Sequence, residues 1–413
     1  MIIGGNSLQG VIRASGSKNA ALPILAASLL HDGVSVIREV PRLQDVFTMC
    51  DVLTYLGARV GWENGDILVD ASSIKFTEVS EELMRRMRAS NLVLGALVGR
   101  FGRAKISSPG GCNIGSRPMN LHLKGLRAMG VKIEEKYGYI TAVSDHLRGA
   151  EIHLDLPSVG ATENIMMAAV LAEGETVIRN AAKEPEIIDL QSFLNRMGAR
   201  VKGAGTDVIR IEGVKKLHAA EHAVIPDRIE AGTYLVAAAI TGGDVTVSGV
   251  IPEHLEPLTA KLREMGVEIK ITGDAVRATA RGRPRAADIK TMPYPGFPTD
   301  MQPQMMALAA LAEGTSIITE TIFENRYKHV SELRRMGAEI KVEGQTAVVR
   351  GVTRLSGAPV EATDLRAGAA LVLAALAAEN GTVLEGLEHI DRGYEYLERK
   401  LSALGARIMR VHI

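Results

Sequence analysis

Cys112 lies in a run that suits neither helix nor strand, Ser107-Ser108-Pro109-Gly110-Gly111-Cys112-Asn113-Ile114-Gly115-Ser116-Arg117-Pro118. Its glycines and prolines make it a loop. A loop thiol five residues from Arg117 has the means to act as acid, base or nucleophile, because a nearby cation favours the thiolate. The plainer alternative is a packed thiol in a turn, since free cysteine is often buried. Lys18, in Ser15-Gly16-Ser17-Lys18-Asn19-Ala20, stands at the start of an apolar helix, where an anion is favoured. The spacing of a P-loop is absent, so ATP binding is not indicated. Asp300 follows a proline-stiffened run from Pro293 and offers a carboxylate that accepts a proton from a hydroxyl. Thr299 or Asp300 reads equally well as the cap of the next helix. Arg88, Arg117, Arg326, Arg366 and Arg392 are five planar forks for phosphate or carboxylate, although any one alone reads as a surface ion pair.

The elements that must position these residues repeat six times. An Ala/Leu-rich helical stretch ends at Gly33, Gly102, Gly174, Gly243, Gly314 or Gly381, and a short strand follows. A polar loop leads to a second helix that closes at Gly57, Gly130, Gly198, Gly266, Gly337 or Gly405. A glycine just past a helix supplies a left-handed cap. The closing glycines are 73, 68, 68, 71 and 68 residues apart, so the unit is about 70 residues long. Met129, Met197, Met265 and Met336 recur one residue before the closing glycine, which is a core position. From first to closing glycine the units span 24, 28, 24, 23, 23 and 24 residues. Only the second is longer, in the stretch that carries Cys112, and an insertion in one copy of a repeated scaffold points to function. The equivalent loops carry Arg42 and Asp45, Glu186, His254 and Glu256, Glu324 and Arg326, and Asp391 and Arg392. Six units are too many for one core, so two α/β halves of three repeats each are expected, with Pro226-Asp227-Arg228 as a crossing point.

Lys plus Arg equal Asp plus Glu at 48 each, and aromatics are 4%. Such a chain has neither the field nor the stacking surface of a nucleic-acid binder. Cys50 and Cys112 lie far apart with no metal-ligand spacing, which predicts no metal site and no disulfide framework and suits a reducing cytoplasm. The N-terminus does not read as a signal peptide, and no apolar run reaches the ~18 residues of a membrane span.

Taken together, Gly16-Ser17-Lys18-Asn19-Ala20, Pro109-Gly110-Gly111-Cys112 through Arg117-Pro118, Pro157-Ser158-Val159-Gly160, Phe297-Pro298-Thr299-Asp300, Phe323-Glu324-Asn325-Arg326 and Asp391-Arg392-Gly393-Tyr394 resemble the UDP-N-acetylglucosamine 1-carboxyvinyltransferases of the enolpyruvyl transferase family. The resemblance runs from about Leu8 to the C-terminus. It implies a two-domain inverted α/β barrel, three repeats per domain, with 18–225 in one domain and 1–17 plus 226–413 in the other. It implies transfer of the enolpyruvyl group of phosphoenolpyruvate to the 3-hydroxyl of UDP-N-acetylglucosamine, the committed step of peptidoglycan synthesis, with no metal or cofactor. By that resemblance Cys112 is the acid at the vinyl carbon, on a lid loop, and Asp300 orients or deprotonates the hydroxyl. Lys18, Arg117 and Arg392 hold the phosphate, and Arg326 and Arg366 face the carboxylate. Asn19 touches both substrates. Arg88, Arg117, Pro118, Met119, Asn120, Leu121, Ser158, Val159, Gly160 and the backbone of Ile322 bind the nucleotide sugar. One position departs from the pattern: Asn120 stands where the family usually has Asp, so an amide replaces a carboxylate acceptor for the uracil N–H and weaker nucleotide binding is expected.

Overall fold

The computed structural model describes residues 1–107 and 119–411, with the side chain of Arg88 left outside. The chain divides into two compact units, whose described residues are 1–15 with 226–411, and 16–107 with 119–225. Gly16 and Ser17 go with the second group, two residues earlier than the expected boundary. The reason is local: the Ser17 side chain caps helix Lys18–Ala27, and its N–H donates to the Ile225 carbonyl at 2.7 Å.

Among the described residues each unit holds three small sheets. A typical one has Glu175–Arg179 pairing in parallel with Glu151–His153 and antiparallel with Val208–Glu212, which then pairs with Arg200–Lys202. A parallel neighbour needs a crossover, and helix Val159–Ala169 supplies it. Antiparallel neighbours need only a tight turn. In two sheets the parallel strand comes from far along the chain, Glu221–Ala223 beside Val34–Arg38 and Gln9–Arg13 beside Asp244–Ser248, and two others depart in their strand pattern. Beside Arg103–Ser107 the fourth, parallel strand shrinks to one bridge between Glu78 and Lys105. In the last sheet Ile2–Ile3 lies between Gly381–Glu385 and Arg407–Ile408, so the N-terminus fills the place a hairpin strand takes elsewhere.

The first helix of each repeat is apolar all round and therefore sinks to the centre. Val93–Phe101 packs against both Lys18–Ala27 and Val159–Ala169 in one unit. In the other, Arg228–Ile240, Gln302–Ala309 and Leu365–Ala377 pack on one another. Close approach is needed there: a Cβ on Gly95 would sit 2.2 Å from the Asn164 carbonyl oxygen. The second helices are amphipathic and seal the core with Met129, Met197, Met265 and Met336, all essentially buried. Every closing glycine has the left-handed backbone its position demands, φ 88–108°. No helix among the described residues is long and apolar enough to cross a membrane.

The chain passes between the units at residues 15–16 and 225–226, and each passage is gripped within its own unit by a buried carboxylate. Glu230 Oε2 accepts the Ser15 N–H at 2.6 Å and is balanced by Lys400. Asp189 Oδ2 accepts the Ile225 N–H at 3.1 Å, and its Oδ1 meets His222 Nε2 at 2.8 Å.

The closing glycines give a graded test. Ala at Gly337 meets nothing within 4 Å, so Gly337→Ala costs about 1–2 kcal/mol for the left-handed backbone alone. Ala at Gly57 would also lie 2.7 Å from the Ser73 carbonyl oxygen, so Gly57→Ala costs more. Urea denaturation of the two variants should rank them in that order.

Candidate active site

Asp300 lies on the single helical turn Thr299–Met301, at the end of the proline-stiffened segment. Its Oδ1 accepts from Arg326 Nη2 at 2.9 Å, and its Oδ2 accepts from Arg366 Nε and Nη2 at 3.2 and 3.0 Å. Both arginines are 3% exposed. Arg366 comes from the first turn of helix Leu365–Ala377, whose cap is Asp364, and Arg326 from the loop before helix His329–Arg335. Burial works against the Arg366 charge, but Tyr394 and Asp300 outweigh it and the guanidinium is held well above its ordinary range. Asp300 is shared between the two guanidinium groups, and the Asp227 carboxylate acts on Arg366 as well. Arg326 Nε and Nη1 and Arg366 Nη1 are buried with no hydrogen-bond partner among the described residues. Unpaired buried donors of this kind are costly and mark a place for an anion.

Neither Thr299 nor Asp300 caps the following helix: Met301 holds the cap position without a side-chain bond. Instead Gln304 Nε2 donates to the Asp300 carbonyl at 2.9 Å and to the Tyr394 hydroxyl at 3.2 Å. Tyr394 also meets Thr233 Oγ1 at 2.9 Å, and its ring lies under Arg366, 5.4 Å from ring centroid to guanidinium carbon. Burial raises the Tyr394 pKa, so it is a neutral hydrogen-bonding prop. His329, buried beside Arg326, has its pKa lowered to about 4, chiefly by burial, and is neutral at pH 7. The sequence offered no reason to select Tyr394, Gln304 and Thr233 together, because they are far apart along the chain.

In the other unit Lys18 opens helix Lys18–Ala27 and is 8% exposed. Its Nζ donates to Asp45 Oδ2 at 3.0 Å, from the first turn of helix Gln44–Leu56. Asn19 follows it, half-buried. Asn120 and Leu121 open helix Asn120–Ala128; Asn120 is exposed, while Met119 is buried and its sulfur accepts from Asn91 Nδ2. Ser158 caps helix Val159–Ala169, whose first residues are Val159 and Gly160. These two helix starts come together through Asn164. Its Nδ2 donates to His122 Nδ1 at 3.0 Å and to the Gly160 carbonyl at 3.2 Å, and its Oδ1 accepts the Gly95 N–H. Arg392 is half-buried at the end of helix Leu387–Asp391, where Asp391 is taken up by Arg410. The Ile322 N–H is committed to Glu320 at 2.9 Å, so a ligand at this backbone would have to use the carbonyl. Cys112, Arg117 and Pro118 lie outside the described residues, as does the Arg88 side chain. Cys50, the other thiol, is pushed up to about 12 by burial and then by Asp51, which makes it a poor nucleophile at neutral pH.

Residues 2–401 match the family model for EPSP synthase (3-phosphoshikimate 1-carboxyvinyltransferase). The chain is 62% identical to UDP-N-acetylglucosamine 1-carboxyvinyltransferase 1 of Symbiobacterium thermophilum, over 100% of this chain and 95% of that one. It is 59% identical to UDP-N-acetylglucosamine 1-carboxyvinyltransferase 2 of Caldanaerobacter subterraneus, over 99% of each. Among solved structures the enolpyruvyl transferase NikO of Streptomyces tendae superposes with a TM-score of 0.89 at 28% identity, over 98% of this chain and 97% of that one.

Asp300→Ala should strip both guanidinium groups of their shared carboxylate and lower stability by about 2–4 kcal/mol. Inorganic phosphate, an anion able to take the vacated place, should raise the variant's Tm more than it raises that of the wild type.

Proposed function

The chain belongs to the EPSP synthase family, and from that premise we propose that it transfers the enolpyruvyl group of phosphoenolpyruvate to the 3-hydroxyl of UDP-N-acetylglucosamine, releasing phosphate, in peptidoglycan synthesis. The unpaired guanidinium donors flanking Asp300 carry this reading: they suit a small carboxylate, and phosphoenolpyruvate has one. The names of relatives 59–62% identical over nearly the whole chain favour the nucleotide sugar over shikimate 3-phosphate as acceptor. The longer second repeat that carries Cys112 favours the same acceptor.

In this reading Arg326 and Arg366 take the carboxylate, and Lys18, Arg117 and Arg392 take the phosphate. The sugar oxygen adds to C2 of phosphoenolpyruvate while Cys112 gives a proton to C3, and the hydroxyl proton passes to Asp300 or to solvent along it. The resulting ketal collapses as C3 loses a proton and phosphate departs, which restores the double bond. Fixed cations at the developing charge lower the barrier because they need not reorganise. Asn19 contacts both substrates. Arg88, Arg117, Pro118, Met119, Asn120, Leu121, Ser158, Val159, Gly160 and the Ile322 carbonyl bind the nucleotide sugar; the abutting starts of helices Asn120–Ala128 and Val159–Ala169 support that assignment. The glycines around Cys112 suit a closing lid. We also infer two domains, 1–17 plus 226–413 and 18–225, each an inverted α/β barrel of three repeats. Three sheets around three buried helices in each unit support this. Working in the cytoplasm fits the use of cysteine.

The test is phosphate release from phosphoenolpyruvate. Release is expected with UDP-N-acetylglucosamine and not with shikimate 3-phosphate. Alkylation should abolish it, and the high pKa of Cys50 directs the reagent to Cys112. Cys112→Ala should lower kcat by about 10²–10⁴, as loss of a general acid does. Release with shikimate 3-phosphate alone would assign the chain to the sister reaction.

The Asn120 departure yields a separate expectation. Asn120→Asp restores a full charge acceptor, so the KM for UDP-N-acetylglucosamine should fall by about threefold to tenfold, the effect of a charge-assisted hydrogen bond at an exposed position. An unchanged KM would show that the amide serves as well.

A further inference from the structure

Glu320 is 1% exposed and lies just beyond strand Thr315–Thr319, two residues before Ile322 and three before the Phe323-Glu324-Asn325-Arg326 run. Its carboxylate accepts four hydrogen bonds. Oε1 takes the Thr291 hydroxyl at 2.8 Å, the Ile322 N–H at 2.9 Å and the Phe323 N–H at 3.2 Å. Oε2 takes the Thr299 hydroxyl at 2.9 Å. Thr291 in turn accepts the Thr321 N–H, and Thr321 donates back to the Thr291 carbonyl. One buried side chain therefore ties together three segments: the start of the proline-stiffened run, the turn that carries Asp300, and the turn that leads to Arg326.

Only an ionised carboxylate offers this many acceptor sites and no donor. A glutamine can keep the shape, with its carbonyl at the Oε1 place and its N–H₂ donating to the Thr299 hydroxyl, but every bond then loses the carboxylate charge, so the ties weaken. A buried network of this kind fixes geometry when every member is satisfied. Asp300 is held from the front by Arg326 and Arg366, and its turn is held from behind by Thr299 and Glu320.

We propose that Glu320 is a positioning residue for the transfer reaction: through Thr299 it sets the Asp300 turn, and through the Ile322 and Phe323 N–H groups it sets the turn whose carbonyl faces the nucleotide sugar. The proposal rests on the function assigned above. It predicts a division of labour that simple support of the fold would not give. Displacement of a reacting group by about 1 Å costs up to about 10²-fold in rate.

The experiment measures kcat and KM for Thr299→Val, Thr299→Ser and Glu320→Gln, with Tm recorded for each. Thr299→Val is isosteric and lacks only the hydroxyl; its kcat should fall about tenfold with the KM for UDP-N-acetylglucosamine within about twofold of wild type. Thr299→Ser keeps the donor and should recover most of that kcat. Glu320→Gln turns charge-assisted ties to both turns into neutral ones, so kcat should fall by up to about tenfold and the KM for the nucleotide sugar should rise as well. Wild-type kcat in Thr299→Val, or a serine no better than valine, would overturn the proposal. So would a loss in Glu320→Gln that only tracks the fraction of protein unfolded. If the wild type itself turns over neither acceptor, the assigned function falls first and takes this proposal with it.

Discussion

Two guanidinium groups buried around a single carboxylate set the terms for the unit formed by residues 1–15 and 226–411. Burying a charge is expensive unless it is paired and hydrogen-bonded. Asp300 answers for only part of the charge of Arg326 and Arg366, and three of their donors remain without a partner among the described residues. The surroundings keep the arrangement from collapsing. Tyr394 lies under Arg366, Gln304 and Thr233 hold Tyr394, and Glu320 holds the turn behind Asp300. None of these groups can move to satisfy the spare donors without losing a bond of its own. Three buried donors are therefore left over in a frame that does not close on them.

The other unit carries a buried cation that has a carboxylate of its own. Lys18 is buried at a helix start, where the backbone already favours negative charge, and Asp45 supplies that charge. A phosphate arriving there would compete with Asp45 for the ammonium. Bringing Lys18 to the first turn of a wholly apolar helix serves this end: the helix is fixed by packing on Val93–Phe101, so its first residue has little freedom.

The repeat makes both arrangements possible at low cost. Each copy needs one left-handed residue to stop its amphipathic helix and one apolar helix to fill the centre. Gly57, Gly130, Gly198, Gly266, Gly337 and Gly405 meet the first need without strain. With the scaffold met by so few positions, the loops and first turns of the second helices are free to carry Asp45, Arg326 or the sequence around Cys112. The exceptions are informative. The sheet with only a one-residue parallel bridge is the one whose strand Arg103–Ser107 runs directly into the Cys112 segment. Ile2–Ile3 completes the last sheet, between Gly381–Glu385 and Arg407–Ile408.

The sequence by itself determined the period, the glycine caps, the recurring core methionines and the family, because each is written locally or by repetition. It also marked Lys18, Asp300, Arg326 and Arg366 individually, as loop or helix-start residues of the right chemistry. Only the tertiary structure decided which of them meet. Asp300, Arg326 and Arg366 are 26 and 66 residues apart along the chain from Asp300, and nothing in the local sequence says that one carboxylate serves both arginines. Glu320 and the Asn164–His122 pair were invisible for the same reason, and Tyr394, though part of a quoted motif, gave no sign of its partners. Each is an ordinary residue in an ordinary element. Its role comes from hydrogen-bond partners brought to it by the packing of other segments, and that packing is a property of the folded chain alone.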